Sequence, residues 1–173
     1  MKKYELTEET FTVFGKTLYR IRAVRDFGSV KTGEFGGYIE KEENLSHYGE
    51  AWVSGNAKVS GNARVSGNAK VCGNTKVCGN AWVSGNAKVC GNAEVSNTRH
   101  FFVQGPIGSR NDFVTFYRTK DDTVGVRCGC FSGSIQKFVD RVEETHGGSR
   151  YEKEYKLAAE LAKVCIRLEE VSE

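Results

Sequence analysis

The sequence predicts a mainly β protein: a parallel β-solenoid wound from six-residue units, with an N-terminal β-hairpin cap before it and a small α+β appendage after it. Three observations carry this. Valine recurs every sixth residue at Val53, Val59, Val65, Val71, Val77, Val83, Val89 and Val95. Each valine is followed by Ser or Cys and, except at the last, by Gly-Asn, so the unit reads A-x-V-[S/C]-G-N. The pattern stops after Ser96 and gives way to strand-like apolar runs and then two helical periodicities. The expected boundaries are 1–27 for the cap, 28–98 for the solenoid and 99–173 for the appendage.

The cap is read from two β-rich runs, Phe11 to Phe14 and Thr17 to Val24, on either side of a turn at Gly15-Lys16. Such a pair would close the open end of the solenoid.

The solenoid follows from its period. Six residues match neither a helix nor a simple strand, but they do match one short strand plus one corner, three of which close a coil. Alternation then points Ala and Val inward and sends the residue between them, with the Ser or Cys, outward. Gly takes positive φ at the corner, and Asn tolerates the left-handed region better than most side chains. The outward residues are Trp52, Lys58, Arg64, Lys70, Lys76, Trp82, Lys88 and Glu94. At three hexads per coil, Lys70 stacks on Lys88 beneath Trp52, Lys58 on Lys76, and Arg64 on Trp82. Lysine ladders of this kind protect a β surface from pairing, or they meet acidic groups or an anionic ligand. Exposed tryptophan marks an interface.

These repeats resemble the hexapeptide-repeat superfamily, whose members form left-handed parallel β-helices and include many acyltransferases as well as proteins without known activity. The resemblance covers roughly residues 28–98, and left-handed coiling is what it implies. Phe27 to Glu40 and Glu43 to Ser46 resemble the leading segment of uncharacterised bacterial and phage members. Ile39 and Leu45 are also six apart, so the solenoid is expected to begin near Val30 with irregular first hexads. Similar proteins trimerise through their flat faces, which would bury Trp52 and Trp82.

In the appendage, Phe101-Phe102-Val103, Phe113 to Arg118 and Thr123 to Cys128 read as strands. A helix should start from a cap at Ser132 or Ser134, run through Ile135, Phe138, Val139 and Val142, and stop at Gly147-Gly148. A second, Tyr151 to Val171, carries Leu157, Leu161, Val164, Leu168 and Val171 as a seam that packs on its own domain or on copies of itself. Leu161 and Leu168 therefore join the two tryptophans as candidate oligomer-interface residues. Gly105 to Asn111 and Cys128 to Phe131 resemble the tails of phage-encoded hexapeptide proteins, from which no activity transfers.

Composition narrows the function classes. A net charge of +3 is too mild for a nucleic-acid binder. No window approaches the roughly 20 apolar residues of a membrane helix, and residues 1–10 have no signal-like apolar stretch. A cytoplasmic protein is expected, with its six cysteines as thiols. Cys72 and Cys90, one coil apart, and Cys78 on an adjacent face then form a plain thiol ladder.

Catalytic readings fare poorly. Acyltransferases of this fold use a histidine base, yet Ala51 to Val95 contains neither a histidine nor a loop insertion. His47, His100 and His146 would have to act from the ends, and their spacing does not fit a three-histidine zinc site. Cys128, Cys130 and His146 lack the usual spacer and a fourth ligand, so neither a metal nor a cofactor is expected. A candidate anion loop spans Gly105 to Asn111, with Ser109, Arg110 and Asn111 at its tip. Arg127, Ser132, His146 and Tyr155 would surround it and form a pocket for a phosphate-bearing small molecule. The expectation is a non-catalytic homo-oligomer, a trimer. It would be phage-encoded and inhibit host defence by sequestering a nucleotide-like signal or blocking a host defence protein. The alternatives are an acyl-CoA-dependent acyltransferase and a purely structural assembly module.

Overall fold

The computed structural model describes residues 1–13 and 15–168, and divides into two compact units, the first ending at Thr98 and the second beginning at Arg99. In the first unit β1 (Tyr4–Val13) and β2 (Lys16–Ala23) pair antiparallel. The pairing starts earlier than the expected strand at Phe11, and Phe14 lies outside the described residues. β3 (Phe35–Ile39) is followed by eight two-residue strands: β4 (Trp52–Val53), β5 (Lys58–Val59), β6 (Arg64–Val65), β7 (Lys70–Val71), β8 (Lys76–Val77), β9 (Trp82–Val83), β10 (Lys88–Val89) and β11 (Glu94–Val95).

Those strands stack in parallel as a solenoid of about three turns. One face runs β3, β5, β8, β11, a second β4, β7, β10, and the third β6, β9. The side-chain ladders follow the register expected from eighteen residues per coil: Trp52 on Lys70 on Lys88, Lys58 on Lys76, and Arg64 on Trp82. Leu45 bridges Val65, and Ile39 pairs with Val59, so both belong to the first coil. Val30 does not, because it closes a local antiparallel bridge with Phe27.

The repeat dictates its own core. The alanines and valines of the hexads are buried without gaps, which at roughly 25 cal/mol per Å² of apolar surface is the main stabilising term. Thr75 stands where the other hexads have Ala; it is buried, and its hydroxyl donates to the Cys72 carbonyl at 2.7 Å, so the extra oxygen is satisfied. At the corners glycine alone takes the left-handed region. Gly73 has φ +71°, and a Cβ there would meet the Gly91 backbone nitrogen at 2.9 Å. The asparagines do not adopt positive φ. They stack amide on amide, Asn56 to Asn74 at 3.4 Å, Asn62 to Asn80 at 3.3 Å and Asn68 to Asn86 at 3.2 Å. Each side chain is aligned with its counterpart on the next coil and hydrogen-bonds to it.

Two expectations for this unit need correction. Cys72 and Cys90 are joined by a disulfide rather than stacked as thiols, because neighbouring rungs bring their Cα atoms to 4.6 Å. Trp52 is only 4% exposed. Phe27 packs edge-on against it at 5.3 Å and Tyr4 at 6.4 Å, so the chain's own N-terminal segments cover this ring. Lys3 is buried beside them, its ammonium donating to the Ala51 carbonyl at 2.7 Å and lying 4.9 Å from the Phe27 ring centre.

The second unit is a four-stranded antiparallel sheet, β12 (Phe101–Ile107), β13 (Asp112–Arg118), β14 (Val124–Cys128) and β15 (Phe131–Ser134), in sequential order. The fourth strand was not expected. Helices α1 (Ile135–His146) and α2 (Arg150–Cys165) share one core with the sheet. α1 is capped by Ser134, which accepts from the Lys137 amide, and α2 by Ser149, which accepts from the Glu152 amide.

The α2 seam differs from expectation. Tyr155, Ala158, Ala159 and Ala162 are the buried face, while Leu157, Leu161 and Val164 are 69%, 47% and 82% exposed. Alanine lets the helix backbone approach its neighbours, and three small residues outcompete leucines for that contact. Leu168 lies beyond the helix end and packs against the unit's own core; Val171 lies outside the described residues. Among the described residues no helix is long and apolar enough to cross a membrane.

Candidate functional site

The expected anion loop is mostly strand. Gly105, Pro106 and Ile107 belong to β12, leaving Gly108 to Asn111 as the hairpin turn into β13, where the Asn111 amide donates to the Gly108 carbonyl at 3.2 Å. The Gly108 N–H is already taken: it donates to the Glu154 carboxylate at 2.6 Å. An acidic side chain thus fills the place of an anion. Gly108 is also required sterically, because a Cβ there would fall 1.9 Å from the Tyr155 hydroxyl.

Beside this turn lies a cavity of about 320 Å³. Its inner wall is built from Phe131, Phe138, Val142 and Tyr155. These belong to β15 and to the inward faces of α1 and α2, which the apolar periodicity of each element buries. The mouth carries Ser109, Arg110 and Asp112 from the hairpin turn and the strand that follows it, with Arg141, Thr145 and His146 from the last turns of α1. Cys128, Gly129 and Cys130, at the turn between β14 and β15, complete the lining.

The cavity's aromatic groups hold one another in place. Phe138 meets Tyr155 edge to face at 5.7 Å, and the His146 ring lies 5.6 Å from Tyr155 and 6.0 Å from Tyr151. Burial, and then the neighbouring Cys128 thiol with which it hydrogen-bonds, push the Tyr155 hydroxyl up to about 12. Tyr155 is therefore a neutral phenol throughout the physiological range.

Of the residues expected at a ligand site, Ser109, Arg110, His146 and Tyr155 meet at this cavity. Asn111 closes the turn with φ +48° and does not line the cavity. Arg127 and Ser132 are opposite one another on β14 and β15, on the sheet face away from the helices. The reason is strand alternation: Val126 and Cys128 point into the helix-covered core, so Arg127 cannot. Ser132 instead hydrogen-bonds Tyr117 on that far face, with Arg127 nearby. Arg141, Thr145 and Asp112 were missed by sequence reasoning. The signal for Arg141 and Thr145 was the helical spacing that puts both on the same side of α1 as Phe138 and Val142.

The three histidines are dispersed. His47 stacks on Tyr4 at 4.3 Å and accepts the Lys3 amide at 3.2 Å; burial lowers its pKa, countered in part by Glu42. His100 is fully buried beside Arg118. His146 alone of the three lines the cavity. Among the described residues no group of three or more His, Cys, Asp or Glu side chains is placed to hold a metal ion. The two candidate interface residues that remain exposed are Trp82, at 56%, and Leu161. Compared with protein-family models and with curated proteins, the chain matches none.

Proposed function

We propose that this protein is a non-catalytic oligomeric binding protein whose second unit takes up a small anionic molecule with a planar apolar body, a nucleotide-like ligand. The observation that carries the reading is the cavity's composition: an aromatic and aliphatic inner wall under a mouth lined by Arg110, Arg141, His146 and Asp112, with Arg141 also 3.6 Å from the Glu144 carboxylate. A base or similar ring fits the wall, and guanidinium groups suit phosphate through paired N–H donors. Its volume is at the small end of ligand pockets, which favours one nucleotide unit over a larger cofactor.

In this reading the first unit is scaffold. The period of six and the glycine corners support a hexapeptide-repeat coil, and left-handed winding is what the resemblance to that superfamily implies. Antiparallel pairing of β2 with β3, at one end of the stacked face, supports a capping role for the β1–β2 hairpin. The coil would assemble as a trimer, and the biological role would be sequestration of a nucleotide signal by a phage-encoded protein acting on host defence.

Isothermal titration with AMP and with adenosine tests the binding step. AMP should bind at least tenfold more tightly than adenosine, and Arg110→Ala and Arg141→Ala should each remove most of that difference. Equal affinity for AMP and adenosine, or unchanged AMP binding in both variants, would overturn the reading. Native mass spectrometry of the same samples counts subunits.

A further inference from the structure

The first unit carries a second, chemically different concavity, on the solenoid face formed by β6 and β9. Trp82 stands there 56% exposed, and its indole N–H donates to the Ser66 hydroxyl on the preceding coil at 3.0 Å. The ring is thus an oriented platform rather than a loose side chain. A groove of about 380 Å³ runs along it, lined by Lys41, Glu43, Asn62, Arg64 and Asn80 together with Trp82.

The polar groups of this groove are under-used. Asn62 and Asn80 exchange one hydrogen bond, Nδ2 of Asn62 to Oδ1 of Asn80 at 3.3 Å. That leaves Oδ1 of Asn62 as an acceptor at one end of the stacked amide pair and Nδ2 of Asn80 as a donor at the other. Among the described residues, the side chains of Lys41, Glu43 and Arg64 make no ion pair with one another. The groove therefore offers two cations, one carboxylate, one amide acceptor and one amide donor, all next to a flat aromatic face.

We propose that this groove binds the hexose ring of a neutral oligosaccharide. A pyranose has an apolar C–H face that lies on an indole and a rim of hydroxyls that both donate and accept. Asn62 offers an acceptor and Asn80 a donor to separate hydroxyls, Glu43 accepts from a third hydroxyl, and Arg64 and Lys41 donate to ring or glycosidic oxygens. A phosphate would pair with Arg64 and Lys41 but leave Glu43 and the stacked amides without a partner, whereas hydroxyls use all of them. The volume admits one or two sugar units. This site is independent of the cavity in the second unit.

Trp82 and Trp52 are the only tryptophans, and Trp52 is buried, so ligand-induced changes in fluorescence report on Trp82. The full-length protein is titrated with maltotriose, cellotriose, chitotriose and galactobiose, and separately with AMP, while emission and acrylamide quenching are followed. At least one oligosaccharide should give a saturable blue shift with reduced quenching. Calorimetry with that sugar should show binding weakened tenfold or more in Trp82→Ala, retained within a few-fold in Trp82→Tyr, and weakened in Asn80→Ala. Circular dichroism confirms that each variant is folded. Four sugars without effect, a response to AMP alone, or sugar affinity unchanged in Trp82→Ala would overturn the proposal. So would a Trp82 already shielded from acrylamide without ligand, in an oligomer that Trp82→Lys dissociates; the occupant would then be a second copy of the chain.

Discussion

The two units bury apolar side chains by different rules. In the solenoid, Val59 lies between Ile39 and Val77 on the stacked face, and Val77 between Val59 and Val95. Each contact repeats one coil later, so position in sequence is position in space. In the second unit, Phe138 meets Phe116, Phe131 and Tyr155, residues drawn from three other elements at unrelated separations. A repeated core is specified locally and is uniform, whereas an aperiodic one depends on which faces win the packing. The second arrangement leaves a cavity because irregular shapes do not tile.

The comparison breaks most visibly at a central rung. Val77→Asp puts an unpaired carboxylate among fully buried valines and should cost about 4 kcal/mol or more. Hydrogen exchange should then lose protection along residues 51–95; protection retained there would refute a core propagated from rung to rung.

Next in size is the disulfide. It closes a separation of 18 residues, and opening it should cost about 3 kcal/mol by chain entropy. The unfolding midpoint should drop with reductant in the wild type but not in a Cys72→Ser, Cys90→Ser protein. Thiol titration of the unreduced, denatured chain should find four reactive cysteines, in line with the four that lie outside the disulfide. Six would restore the thiol ladder.

In the second unit, Ala159→Leu overpacks a fully buried position on α2 and should destabilise by about 1–3 kcal/mol. Leu157→Ala, on the exposed side of the same helix, should stay within about 0.5 kcal/mol. The reverse order would mean that the leucine stripe, not the alanine face, packs in solution.

The smallest effect sharpens the picture of the hairpin end of the solenoid. Burial, and secondarily Arg25, lower Lys3 to about 8. Between that value and the unfolded value of 10.5 the unfolded chain holds more protons than the folded one, so stability should rise with pH. The slope is at most about 1.4 kcal/mol per pH unit. Burial raises Tyr4, which opposes this above about pH 10, so the clean window is pH 8–10. Denaturation midpoints should climb through it in the wild type and stay level in Lys3→Met; a level wild type would mean Lys3 is hydrated.

Residues Val53 to Val95 were legible because a period of six admits one geometry in which all eight valines are inside. Their register, their outward ladders and the exposure of Trp82 followed from it. Trp52 carries the same repeat position, yet its burial depended on Phe27 and Tyr4, which lie outside the period. The candidate site was half legible. Ser109, Arg110, His146 and Tyr155 were expected together and do line one cavity. Arg127 and Ser132 failed because alternation along β14 and β15 turns them to the opposite face, and the strand limits were needed to see it.

By itself the sequence determined the solenoid, its coil length and the existence of a helical appendage, because local periodicity selects backbone geometry and burial together. Only the tertiary structure decided that an alanine face would pack in place of a leucine seam, that Glu154 would occupy the turn's backbone donor, and that Phe27 and Tyr4 would cover Trp52. Those outcomes depend on distances between elements far apart in the chain, and short-range propensity carries no information about them.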